Sequence, residues 1–179
     1  MRDYDRPHMP GQILRGHRGC PPGRPPDFHD LIAALDAAHV DFLVVGAHAL
    51  AAHGVVRGTG VLDVFVRPDP KNAQRLIQAL RNFGAPLCAH GIRPEDFTQP
   101  GAVCQLGLPP RRIDILTELA GLSYEDAAAD AKRTAVGDLD FRVPSIRALI
   151  RNKRATARPR DLEDARLLET LLRTPHRAP

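Results

Sequence analysis

The sequence predicts an α+β fold of mixed α/β type: a small mixed sheet, helices packed on it, and a helical C-terminal end. Three observations carry this expectation. Short apolar runs with β-branched residues (42–46, 61–67, 102–106, 112–116) alternate with longer stretches whose apolar residues recur at helical spacing (28–35, 73–83, 162–172). Glycine, proline and N-cap residues stand at the joints between them. The length of 179 residues, with 43% hydrophobic and 26% charged, suits one domain with a core of its own, and no internal repeat is evident.

Residues 1–26 are rich in Pro, Gly and Arg with little apolar patterning, so they read as a flexible tail ahead of a domain over 27–174. Asp27, after Pro25-Pro26, is a suitable N-cap for a helix that places Phe28, Leu31, Ile32 and Leu35 on one face. A strand follows over 42–46, then a small-residue helix over 47–53 that Gly54 ends. The next strand, 61–67, leads to a helix from Pro70 with apolar positions Ala73, Leu76, Ile77, Leu80 and Phe83, stopped by Gly84. Strands over 102–106 and 112–116 are joined by Gly-Leu-Pro-Pro. Ser123, with Asp126 three residues on, approximates a capping box for a short helix. A hairpin over 132–143 turns at Gly137-Asp138. Two helices finish the chain, from Ser145 and from Pro159, the second carrying Leu162, Ala165, Leu168 and Leu172.

Several functions are excluded or disfavoured. No apolar run reaches the length of a membrane span, and residues 1–26 lack the apolar stretch of a secretory signal. Cys20, Cys88 and Cys104 have unrelated spacings and form no disulfide framework, which suits a cytoplasmic protein. Aromatic residues make up 4% with no Trp, leaving few platforms on which single-stranded bases can stack. Gly58-Thr59-Gly60 precedes a strand instead of following one, so it is not a dinucleotide fingerprint, and no Gly-Lys-Ser/Thr occurs. His48 and His53 are five apart, the wrong spacing for one zinc ion on a helix, and read as core or rim residues. Cys88 and His90 have no matching pair elsewhere. The net charge is +4, and six basic residues without an acidic one lie between Arg147 and Arg160. That run fits a polyanionic partner such as a triphosphate or RNA, and equally a solvated helix face.

Two carboxylates stand out. Asp63 sits in the middle of Val-Leu-Asp-Val-Phe-Val and Asp114 in the middle of Arg-Arg-Ile-Asp-Ile-Leu. An unpaired charge buried in a strand costs roughly several kcal/mol, so both need a partner. Strand alternation puts Val61, Asp63 and Phe65 on one face, and Arg112, Asp114 and Leu116 on one face. If the strands are neighbours, both carboxylates point at a common spot where a divalent cation with phosphate ligands can sit. The alternatives are backbone N–H partners for Asp63, and Arg112 or Arg111 for Asp114. Gly46 at a strand end, with a helix starting at Ala47, can aim backbone N–H groups at a phosphate. Lys153 and Arg158 can neutralise charge that develops in phosphoryl transfer. Arg57 and Thr59 either line that phosphate site or simply belong to a glycine-rich loop.

Gly46-Ala47, then Arg57-Gly58-Thr59-Gly60-Val61-Leu62-Asp63, then Arg112-Ile113-Asp114-Ile115, resembles the DNA polymerase beta-like nucleotidyltransferase superfamily. The closer likeness is to small bacterial nucleotidyltransferase proteins, including toxin-type members. The late segment 149–164 is similar to the one that brings a lysine, here Lys153, to the nucleotide in such proteins, and the likeness covers about 27–172. It implies an NTP substrate, Mg²⁺ or Mn²⁺ held by Asp63 and Asp114, and transfer of a nucleoside monophosphate to a hydroxyl. It assigns nucleotide binding to Gly46, Ala47, Thr59, Lys153 and Arg158. The acceptor would be RNA such as tRNA, a protein or a small molecule, and an antitoxin would be a partner. One departure matters: where the family has its first Asp, this chain has Val61. In a two-metal mechanism that carboxylate helps hold the ions, and valine offers no ligand. The resemblance therefore implies that Asp63 and Asp114 hold one Mg²⁺ already bound to a nucleotide, in an impaired enzyme, a non-catalytic nucleotide- or RNA-binding pseudoenzyme, or a deliberately inactivated form.

Overall fold

The computed structural model describes residues 13–15, 28–108, 110–136 and 139–173. Its elements run β1 (Ile13–Arg15), α1 (Phe28–Ala37), β2 (Phe42–Val45), α2 (Gly46–Ala52), β3 (Val61–Val66) and α3 (Pro70–Asn82). After two 3-10 turns (Cys88–His90 and Pro94–Phe97) come β4 (Val103–Leu106), β5 (Arg112–Leu116), α4 (Tyr124–Ala129), β6 (Lys132–Val136) and β7 (Leu139–Val143). The described chain ends with α5 (Ile146–Thr156) and α6 (Pro159–Arg173). This is the α+β class expected from the sequence.

The main sheet has the order β1-β4-β5-β3-β2 and is mixed: β3 and β5 are parallel, while β2 and β4 run antiparallel to their neighbours β3 and β5. β1 pairs parallel with β4. It was not expected, because three residues carry no readable period and their pairing partner lies in a distant segment. The rest of the anticipated tail, with Asp27, lies outside the described residues, as do Gly137-Asp138 at the hairpin turn. β6 and β7 form a separate antiparallel pair, and β7 lies against β2.

Local chemistry fixes the element ends. The Asp69 side chain accepts from the Asn72 backbone N–H at 2.9 Å and Pro70 opens α3, whose Ala73, Leu76, Ile77 and Leu80 are buried. Ser123 and Ser145 cap α4 and α5 in the same way. Buried Asn72 binds the sheet margin: its amide donates to the carbonyls of Asp41 and Arg67 and accepts from Asp41 N–H at 2.7 Å. It thereby joins the residue before β2 to the residue after β3.

The two sheet faces differ. Phe42 and Val44 of β2, Leu62, Val64 and Val66 of β3, Ile113 and Ile115 of β5, and Cys104 and Leu106 of β4 face the main core, shared with α1 and α3. On the opposite face Leu43, Val45 and Phe65 form a smaller core with Leu122, Tyr124 and Ala127. The remainder of that second face carries Asp63, Gln105, Arg112 and Asp114 beside Val61 and Val103.

Candidate functional site

The polar part of the second face is built by β3, β5 and β4. Val61 pairs with Arg112 and Asp63 with Asp114 across the parallel strands, while Gln105 pairs with Asp114 on the other side. Neighbouring strands are about 4.8 Å apart, so partners on one face lie side by side. The expectation that the two strands adjoin is met. Val45 is the β2 partner of Asp63, and Gly46 follows it as the first residue of α2. The strand is one residue shorter than expected because Gly46 turns out of it with φ +63°. A Cβ built on Gly46 would stand 2.2 Å from Asp63 Oδ2, so glycine is required both by the left-handed backbone and by the carboxylate packed against it. Ala47 is the second residue of α2 and is half-buried.

Asp114 is completely buried. Arg112 Nε lies 2.9 Å from its Oδ1, Arg112 Nη2 donates to its Oδ2 at 3.1 Å, and Gln105 Nε2 lies 3.5 Å from Oδ2. Of the alternatives open for Asp114, the arginine two residues away on the same strand face is the one observed. A planar guanidinium matches both carboxylate oxygens, which a point charge cannot do. On the opposite face of β4, Cys104 is buried, and its thiol is pushed up to about 12 by burial, then by the negative charges of Asp114 and Asp96. The thiolate is the reactive form. Iodoacetamide is therefore expected to modify exposed Cys88 in the native protein and to leave Cys104 unmodified, which peptide mass mapping checks.

Thr59 closes its own turn: its hydroxyl accepts from Val61 N–H at 3.0 Å and donates to the Val61 carbonyl at 3.1 Å. A Cβ on Gly60 would come 2.7 Å from Pro110 Cα, and the Gly60 carbonyl accepts from Arg112 N–H. The glycine-rich loop thus lets β3 and β5 begin side by side.

Lys153 and Arg158 lie in a second charged cluster. Lys153 Nζ contacts Asp161 and, at 3.3 Å, Asp164; Arg158 Nε is 4.0 Å from Asp161. Arg57 reaches Asp164 with Nε at 2.9 Å and Nη2 at 2.8 Å, and Glu163 at 3.4 Å. Asp161 and Asp164 are 9% and 3% exposed, which makes them the buried anions of the helical end. The sequence reading did not single them out. Their signal is an i, i+3 pair on the buried side of an amphipathic helix, directly after a basic run. Arg151 and Arg154 are also paired, with Asp126 at 3.1 Å and Glu169 at 2.6 Å. The basic run is therefore largely matched by acids from α4 and α6. His48 packs edge-on to Phe28 and burial lowers its pKa, while His53 Nε2 lies 2.8 Å from the Pro144 carbonyl oxygen.

The resemblance implies two divalent ions. The residues present do not fit a two-ion centre: position 61 offers a valine, and both oxygens of Asp114 face Arg112. Among the described residues no group of three or more His, Cys, Asp or Glu side chains is placed to hold a metal ion. No described helix is long and apolar enough to cross a membrane. Comparison with protein-family models and with curated proteins found no match.

Proposed function

We propose that the chain is a nucleotidyltransferase-type protein that receives an NTP on the polar part of the sheet, and that Val61 impairs its transfer of a nucleoside monophosphate. The acceptor in this reading is a hydroxyl on RNA, a protein or a small molecule. The observation that carries it is the Asp63–Asp114 pairing across parallel strands, with the Gly46 backbone packed against Asp63. Adjacent carboxylates on one sheet face favour a cationic partner, and a phosphate-bearing ligand accompanied by cations is one that suits this face. Gly46, Ala47 and Thr59 border this face and would meet the phosphates. Lys153 and Arg158 would contribute by exchanging α6 carboxylates for phosphate oxygens. Mg²⁺ or Mn²⁺ enters as the counter-ion that the nucleotide brings. The resemblance alone supports a cytoplasmic toxin with an antitoxin partner.

The test is incubation of the purified chain with labelled NTPs, Mg²⁺ or Mn²⁺ and bulk tRNA. Weak labelling of an acceptor, raised by Val61→Asp, is the expected result. No labelling by either form, together with no nucleotide binding, refutes the reading. One observation favours a second reading, a non-catalytic nucleotide- or RNA-binding module: the Arg112 fork already occupies Asp114. That reading predicts binding without turnover, with RNA affinity falling steeply as salt rises.

A further inference from the structure

We propose that the Arg112 guanidinium is the resident cation of the sheet site, taking on Asp114 the place a divalent ion would take. The native chain then holds no divalent ion between Asp63 and Asp114. The functional meaning of this inference rests on the nucleotidyltransferase reading above, and it deepens that reading by naming the side chain that shuts the metal position.

Three features converge. Arg112 lies against both oxygens of Asp114, Nη2 donating to Oδ2 at 3.1 Å and Nε an ion-pair contact with Oδ1 at 2.9 Å, along the carboxylate edge at which a hard cation would bind. Asp114 is fully buried whereas the Arg112 side chain is 24% exposed, so the cation on this carboxylate keeps contact with solvent. The β3 partner of Arg112 is Val61, which offers no side-chain oxygen to draw the guanidinium away.

The chemistry makes the occupancy durable. A buried carboxylate needs a positive partner in every state of the protein. A guanidinium remains protonated throughout the working pH range, and its covalent attachment prevents dissociation. A divalent ion would have to displace two charge-assisted contacts. Asp114 neutralises one unit of charge, and the guanidinium's remaining N–H groups make no other hydrogen bond among the described residues. Those donors suit an oxyanion such as a nucleotide phosphate.

The test is Mn²⁺ titration of the full chain, with free ion followed by electron paramagnetic resonance. It compares the native protein, Arg112→Gln, Arg112→Lys and the double variant Arg112→Gln/Asp114→Asn. Arg112→Gln is expected to bind Mn²⁺ at least about tenfold more tightly than the native chain, the scale on which ligand-sphere changes act. The gain should vanish in the double variant and be smaller in Arg112→Lys, whose ammonium cannot fork across both oxygens. Equal Mn²⁺ affinity in native and Arg112→Gln proteins, or a gain that survives loss of Asp114, overturns the proposal. If circular dichroism shows Arg112→Gln unfolded, Arg112→Lys decides: a gain supports the proposal and no gain overturns it. A fluorescent ATP analogue titrated into each folded form separates the two levels. Failure of every form to bind it counts against the nucleotide reading, while the Mn²⁺ comparison alone judges Arg112.

Discussion

Asp114 and Asp164 are both buried carboxylates held by a guanidinium, yet the two are neutralised in opposite ways. Asp114 takes its arginine from two residues away on the same strand face. Asp164 takes Arg57 from 107 residues away and Lys153 from the preceding helix. The first pair joins residues two apart on one strand face. The second ties α5 and α6 to the loop that leads into β3, so the helical end and the site strand are held by the same charges. The short-range pair stays within one strand; the long-range one links separate elements.

That contrast can be broken by substitution. Asp164→Ala leaves Arg57 and Lys153 facing each other without their shared anion, and should cost about 3 kcal/mol, the low end for breaking a buried pair. Urea unfolding checks this, and a loss no larger than that of a surface substitution would mean the cluster does not hold α6. Gly46→Ala should cost about 2 kcal/mol, combining the left-handed backbone with the push on Asp63. It should also weaken nucleotide binding, measured by fluorescence titration. Asp114→Asn keeps the shape and one acceptor for Arg112, so a loss of about 1.5 kcal/mol is expected, less than at Asp164. Equal losses at the two positions would erase the distinction between them. Arg151→Ala removes an exposed pair with Asp126, and its melting curve should move by less than about 0.5 kcal/mol.

Much of this arrangement was legible in the chain. Caps at Asp69, Ser123 and Ser145 and the alternation along 61–66 mark elements whose physics is local, and strand parity put Asp63 and Asp114 on definable faces. What escaped was non-local. Nothing near Asp164 in sequence announces Arg57 as its partner, and Asn72 gives no sign that it bridges Asp41 and Arg67. The choice between Arg112 and a metal ion for Asp114 stayed open because alternation fixes a face and leaves the rotamer free. The basic run read equally as a polyanion surface or a solvated helix face, because sequence order hides the acids that α4 and α6 fold against it.

The most direct measurement is a crystal structure of the chain soaked with a non-hydrolysable NTP. Phosphate density beside Gly46, Asp63 and Arg112, on the polar part of the sheet, is the predicted result. Nucleotide bound at another surface, or carboxylates of Asp63 and Asp114 found on opposite faces of the sheet, would contradict the account.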